Sequence, residues 1–349
     1  MKLTVESMKL HLATWPPKKQ IEQTLGQASA QEKALKLHLA ERDPQHHAWA
    51  KHGADNGGYH LRILLSYHYY KDTDLDQLFE KYFTEPYPDV FADSGAFSAM
   101  TQGSYIDIDD YANWLKKYNH LFSTYSNLDV IKDADGTWEN QVYLEEKHGL
   151  SPLPVFHVLE SFDWLERYIE KYQYIALGVA GMQQRGGLMA WLTKCFQMAK
   201  GRAVYHGFGL TGWKVMRDFP WYSVDSSSWG QGFRFGQVPV FNTNKGRFEK
   251  LKLGDVTSWQ RHGQLIDSMG FNWHDFAYRE RNDRAKICAI SALSYMMAQK
   301  WLRKRHGEIY IPNDNGAPAV LRAHLRALVC KSARTSGADI VPHTYTTRR

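Results

Sequence analysis

Two short runs carry the carboxylates best placed for chemistry: Asp93-Ser94-Gly95-Ala96-Phe97 and Ser223-Val224-Asp225-Ser226. Each follows an apolar stretch of strand length. Pro88-Asp89-Val90-Phe91-Ala92 precedes the first and Phe219-Pro220-Trp221-Tyr222 the second. An aspartate at the carboxyl end of a parallel strand sits where the loops of an α/β fold converge. Two such carboxylates facing one pocket divide the work of nucleophile and general acid/base. Burial there raises a carboxyl pKa toward the range that proton transfer needs. Ser94, Gly95 and Ala96 let backbone amides approach a ligand, and Phe97 offers a flat face to an aromatic base. Ser226, Ser227 and Ser228 supply hydroxyls that orient Asp225. The competing readings are a strand-capping turn around Asp93 and a helix N-cap at Asp225.

Other strand ends add polar groups. Asp133 or Asp135 in Leu128–Asp135 could read the amino edge of a purine-like ring, or cap the helix that follows. Gly178 and Val179 present free amides to a carbonyl oxygen, or simply pack tightly. His157, His206 and the adjacent Gly207 fall at strand ends and are pocket candidates. None of the histidines has metal-ligand spacing, and Cys195, Cys288 and Cys330 form no C-x-x-C pair. No metal or cofactor is expected.

These residues need elements to hold them. From Leu61 the chain alternates strand and helix. Strands are predicted at Leu61–Tyr67, Asp89–Ala92, Leu128–Ile131, Leu153–Leu159, Tyr174–Gly178, Ala203–Gly207 and Tyr222–Asp225. Helices are predicted at Leu75–Phe83, Ile108–Tyr118, Trp138–Lys147, Trp164–Tyr172, Met189–Lys200 and Trp213–Arg217. Gly232–Asn242 reads as a hairpin or a last strand. The fold class is α/β, a (β/α)8 TIM-like barrel over residues 59–244. Residues 1–58 form an N-terminal helical or irregular segment packed on it, with a helix over Ile21–Leu39. Residues 245–349 form a basic, mainly helical extension with helices at Ile266–Phe271, Arg281–Arg305 and Leu321–Val329. A doubly wound sheet is the alternative, but no G-x-G-x-x-G run supports it.

Charge is uneven. Over residues 245–349 basic side chains outnumber acidic ones 19 to 9, whereas the remainder has 24 against 28. That asymmetry predicts a polyanion partner for the C-terminal third, with Arg234, Arg303, Lys304 and Arg305 as nucleic-acid contacts. The last three also complement a helix dipole. The N-terminus lacks the apolar core of a signal peptide and no long apolar run exists, so a cytoplasmic protein without a membrane span is expected. A homodimer or a protein partner is compatible with the sequence.

Taken in order, these runs resemble the guanine transglycosylase superfamily over roughly residues 60–242. Its D-S-G-G-[FY]-Q run is similar to Asp93–Ser98, and its nucleophile segment to Ser223–Ser226. Its glycine loops are similar to Ala176–Gly181 and Tyr205–Gly209. The chain departs from the tRNA-directed members in three places. It lacks their C-x-C-x-x-C zinc site, Ser226-Ser227-Ser228-Trp229 replaces a P-T-R run, and Ala96 replaces a glycine. In these it looks more like the phage-type branch that inserts 7-deazaguanine into DNA. The resemblance implies that Asp225 attacks the sugar C1′ while Asp93 protonates the departing guanine. A free 7-deazaguanine, such as the cyano-substituted (preQ0-like) base, then replaces it. Ser94, Gly95, Phe97, Asp133 or Asp135, His157, Gly178, Val179, His206 and Gly207 would line the base pocket, with Phe97 and His206 sandwiching the ring. The alternatives are a zinc-free enzyme acting on tRNA and a non-catalytic nucleic-acid-binding relative.

Overall fold

A computed structural model describes residues 9–13, 62–82, 89–179, 187–307 and 309. The expected helices over Ile21–Leu39 and Leu321–Val329 lie outside these residues.

Eight parallel strands form one sheet: β1 (Lys9–Ala13), β2 (Arg62–Ser66), β3 (Asp89–Asp93), β4 (Phe122–Tyr125), β5 (Val155–His157), β6 (Tyr174–Gly178), β7 (Val204–Gly207) and β8 (Ser223–Ser226). Their order is β4-β3-β2-β1-β8-β7-β6-β5. The two outer strands are also tied to each other. Just beyond β4, Ser126 bridges Leu153 in parallel, the Asn127 amide donates to the Leu153 carbonyl at 2.9 Å, and the Leu153 amide donates to the Tyr125 carbonyl at 2.8 Å.

Helices fill the connections: α1 (Tyr67–Tyr70), α2 (Leu75–Tyr82), α3 (Ala96–Thr101), α4 (Ile108–Lys117), α5 (Ala134–Glu146), α6 (Phe162–Lys171), α7 (Leu188–Ala199) and α8 (Trp213–Asp218). Local chemistry sets several starts. Asp107 accepts from the amides of Asp109 and Asp110 at α4, and Ser161 accepts from the Asp163 amide at α6.

The two faces of each strand do different work, as period-two alternation requires. On one face Ile63, Leu65, Val90 and Ala92 pack with Phe79, Tyr111 and Leu115, while Phe156, Ile175, Leu177, Tyr205 and Val224 pack with Leu165, Leu192 and Met216. On the other face Leu64, Phe91, Val155, Tyr174, Ala176 and Val204 pack on one another. Phe91 of β3 and His206 of β7 are four strands apart in the order, about 19 Å in a flat sheet. Their ring centroids lie 4.5 Å apart, so the sheet curls strongly.

Three expectations are corrected. The N-terminal segment is not purely helical or irregular, because β1 inserts between β2 and β8. The strand expected at Leu128–Ile131 is instead Phe122–Tyr125, with Leu128–Ile131 in the loop after it. The boundary near residue 244 cuts an antiparallel hairpin of β9 (Gln237–Asn242) and β10 (Arg247–Lys252).

The chain after β8 is also more integral than expected. It forms α9 (Gln231–Phe235), the hairpin, α10 (Val256–Arg261), α11 (Gly263–Ser268), α12 (His274–Ala277) and the long α13 (Arg284–His306). One side of α13, with Ile287, Ile290, Leu293 and Met297, packs on the hairpin residues Val238, Val240 and Phe241. Another side places Tyr295 and Leu302 in the sheet core with Trp221 and Val224. Ser291 and Ser294 are buried between and donate to the carbonyls of Ile287 and Ile290, which satisfies their hydroxyls.

Candidate active site

Register brings the site together. Ser66 pairs with Asp93 and His157 with Gly178 at the carboxyl ends of adjacent strands, and His206 of β7 pairs with Ser223, which opens β8 two residues before Asp225. Asp93 closes β3. Its Oδ2 accepts the Gly95 amide at 3.0 Å. Gly95 has φ +79°, and a Cβ there would fall 2.3 Å from Ser66 Oγ, so this turn needs glycine. Burial pushes the Asp93 carboxyl up to about 7, and the charges of Asp129 and Asp225 add to the rise against the Gly95 amide and the Ser66 hydroxyl.

Asp225 lies near the end of β8 and is buried. Its Oδ1 accepts the Gly209 amide at 2.7 Å and stands 3.5 Å from His206 Nε2. Asp129 follows β4. Its Oδ2 lies 2.9 Å from His157 Nε2, and Ser94 Oγ donates to its Oδ1 at 3.5 Å. Burial pulls the His157 pKa down, but the hydrogen bond and charge of Asp129 more than offset it, and the net shift is upward. The His157 amide donates to Glu160 Oε2 at 2.9 Å, and burial raises the Glu160 pKa. The site therefore gathers three carboxylates from three strand ends, one of them poised near neutrality, with an imidazole alongside.

Asp93, Asp225, Ser94, Gly95 and His157 meet at this end of the sheet. Ser94 is buried and joins β3 to the next strand through its amide, which donates to Ser126 Oγ at 3.2 Å. Gly178 makes room for the His157 ring, since a Cβ would lie 2.5 Å from Nδ1. Val179 follows it, partly buried. Phe97 lies in the first turn of α3, four residues after Asp93, and is 52% exposed.

Others are corrected. Asp133 is the N-cap of α5, accepting the Gly136 amide at 2.9 Å, and Asp135 is exposed in its first turn. Asp129, four residues earlier, is the carboxylate that faces Asp93. His206 is not a stacking platform: it is 0% exposed, with Phe91 against one side and the Phe208 ring edge-on at 4.7 Å. Gly207 serves packing, because a Cβ there would meet the Trp221 ring at 2.8 Å.

Two of the basic residues have backbone partners. Arg234 donates to the carbonyls of Gly230 and Ser227 and shapes the turn after β8. Arg303, Lys304 and Arg305 end α13, where Arg305 Nε donates to the Arg217 carbonyl at 3.1 Å. Arg217 lies near the end of α8, which leads into the start of β8. Among the described residues no group of three or more His, Cys, Asp or Glu is arranged to hold a metal ion, and no helix is long and apolar enough to cross a membrane.

Sequence reasoning passed over Asp129, Ser223 and Tyr174. Ser223 had a signal: it precedes Asp225 by two residues on one strand and so shares its face. Comparison with protein-family models and with curated proteins finds no match to this chain. The reading of the site rests on its residues.

Proposed function

We propose that the sheet is a closed (β/α)8 barrel and that the chain is a base-exchanging transglycosylase, replacing guanine in DNA with a 7-deazaguanine. The bridge between the outer strands and the contact of Phe91 with His206 across the sheet support closure. The observation that carries the chemistry is the pair Asp93 and Asp225. One carboxyl is held near pH 7 by burial and by its neighbours' charges; the other is fixed by a backbone amide.

In this reading the target guanine is flipped out of the duplex and stacks on exposed Phe97. Asp225 attacks C1′, and guanine departs carrying the proton of Asp93. The sugar–aspartate ester retains the bond, as in retaining glycosidases, so no nucleoside triphosphate is required. The incoming base gives its ring proton to Asp93 and displaces Asp225. Asp129, held by His157, faces the polar edge of the base. The DNA substrate class comes from the sequence resemblance, whereas the two-carboxylate chemistry comes from the site.

The test is nucleoside mass spectrometry on duplex DNA and on tRNA, each incubated with the cyano-7-deazaguanine base and either wild type or Asp225→Ala. A modified deoxynucleoside formed by wild type alone supports the proposal. Modified tRNA alone moves the activity to RNA. Binding of either polymer with no product and no ester overturns the enzymatic reading.

A further inference from the structure

The strand-8 aspartate is braced by side chains that the exchange reaction does not itself use. Tyr174 on β6, Ser223 on β8 and His206 on β7 are all buried. Tyr174 Oη stands 2.6 Å from Ser223 Oγ, and Ser223 Oγ stands 2.6 Å from His206 Nδ1. His206 Nε2 then stands 3.5 Å from Asp225 Oδ1, an ion-pair distance longer than the usual N–H···O bond. The chain thus runs across three strands and ends on the carboxylate.

Chemistry gives this chain one direction. An ionised carboxylate only accepts, so the His206 atom facing Asp225 must carry the proton. Burial lowers the His206 pKa, and a neutral imidazole has a single N–H. Nδ1 therefore accepts from the Ser223 hydroxyl, and Ser223 Oγ accepts from Tyr174. Tyr174 keeps its proton, because burial raises its pKa well above the usual value.

The hydrogen bond and the closest imidazole contact of Asp225 fall on the same oxygen. The Gly209 amide and His206 Nε2 address Oδ1, and among the described residues Oδ2 has no hydrogen-bond partner. Resting on the transglycosylase reading, we propose that Tyr174, Ser223 and His206 are positioning residues that hold Oδ1 of Asp225 and leave Oδ2 as the atom that attacks C1′.

The bonds balance as follows. The Oδ2–C1′ bond forms as the C1′–N bond to guanine breaks, its electron pair leaving with the base, which takes the proton of Asp93. Oδ1 becomes the carbonyl oxygen of the ester. On return, the incoming ring nitrogen bonds C1′ and passes its proton to Asp93, while the Oδ2–C1′ pair flows back into the carboxylate. Negative charge reappears on Oδ1, which the Gly209 amide already bonds and His206 Nε2 approaches. The donors therefore favour the free carboxylate over the ester, and losing them must shift the balance toward ester.

Two measurements test this on the full chain. In protein labelled with 15N-histidine, with His206 assigned by its loss in His206→Gln, the expected state is protonated Nε2 and bare Nδ1. A proton on Nδ1, or on both nitrogens, at neutral pH overturns the relay without touching the proposed activity. In the presence of substrate, Ser223→Ala is expected to raise the steady-state fraction of enzyme trapped as ester severalfold while the KM for DNA stays within about twofold. Tyr174→Phe removes one buried oxygen and no packing, and is expected to shift the fraction the same way by a smaller factor. An ester fraction unchanged or lowered in both folded variants overturns the proposal. Absence of any ester in wild type, with His206 in the expected tautomer, overturns the transglycosylase reading instead.

Discussion

His157 Nε2 stands 2.9 Å from Asp129 Oδ2, and this pair sits beside the acid Asp93 rather than out in solvent. The arrangement has an electrostatic consequence. The Asp129 charge raises both its neighbours: Asp93 because like charges repel, His157 because opposite charges attract. Asp129→Asn should lower both pKa values, leaving Asp93 above an ordinary carboxyl because burial remains its largest cause. The check is a 13C-carboxyl and 15N-imidazole titration of the two residues. If exchange requires protonated Asp93, its rate falls as pH rises through about 7 in wild type, and that fall moves to lower pH in Asp129→Asn. An Asp93 titration unmoved by the substitution would contradict the arrangement.

The raised Asp93 pKa also sets a stability signature. The folded carboxyl titrates at about 7 against 3.8 for the free group. Below the lower value both states hold the proton and nothing is lost. As pH rises between the two, the unfolded chain ionises while the fold keeps its proton, so stability falls. Above the upper value the deficit levels off at no more than ~4 kcal/mol. Asp93→Asn keeps an acceptor for the Gly95 amide and removes the ionisation. It should be more stable than wild type at pH 8, with the gap closing toward pH 4. Urea unfolding at pH 4, 6 and 8 decides it, and a gap independent of pH would be wrong for this site.

The periodicity of the chain from Leu61 made most strands and helices readable, because buried strands of parallel sheets are apolar runs. It failed where that rule fails. Lys9-Leu10-His11-Leu12-Ala13 alternates polar and apolar residues, yet forms a strand between β2 and β8. Phe122-Ser123-Thr124-Tyr125 sets two hydroxyl residues between two aromatics, so it is no apolar run, whereas the more apolar Leu128–Ile131 is a loop. That misplacement carried the choice of carboxylate with it. With the strand ending at Tyr125, Asp129 is the residue at its carboxyl end, and Asp133 falls one step on, where a helix needs its cap. Asp93 and Asp225 were legible because one ends its strand and the other stands one residue from the end. The partners of His206 were not, since Tyr174 is 49 residues from Ser223 and only the register joins them.

Gly178 gives a steric test of the same pocket. A Cβ at Gly178 would stand 2.5 Å from His157 Nδ1 and 2.7 Å from its Cε1, so the ring must move and lose Asp129. Gly178→Ala should destabilise the fold by about 1–3 kcal/mol, the usual cost of overpacking. It should also release the His157 pKa from its carboxylate partner. Gly187→Ala is the matched control: nothing lies within 4 Å of its Cβ and its φ is negative. That variant should unfold with wild type or slightly later. Equal losses at both positions would mean that Gly178 is not needed for the histidine.

Leu302 decides whether the end of the described chain is an attachment or part of the core. It is fully buried near the end of α13, in the cluster that holds Trp221 and Val224 of the sheet. Two residues on, Lys304 is exposed. Leu302→Ala removes three carbons from a packed interior and should cost about 2–5 kcal/mol in urea unfolding, with the slope of the transition unchanged. Lys304→Ala should stay within about 0.5 kcal/mol of wild type. Should Leu302→Ala unfold in a separate, earlier step while the rest of the protein melts normally, α13 would be a peripheral unit rather than a wall of the sheet's core. A single, earlier transition would mean that the active-site strands depend on α13 for their packing, and removing the helix would remove the site.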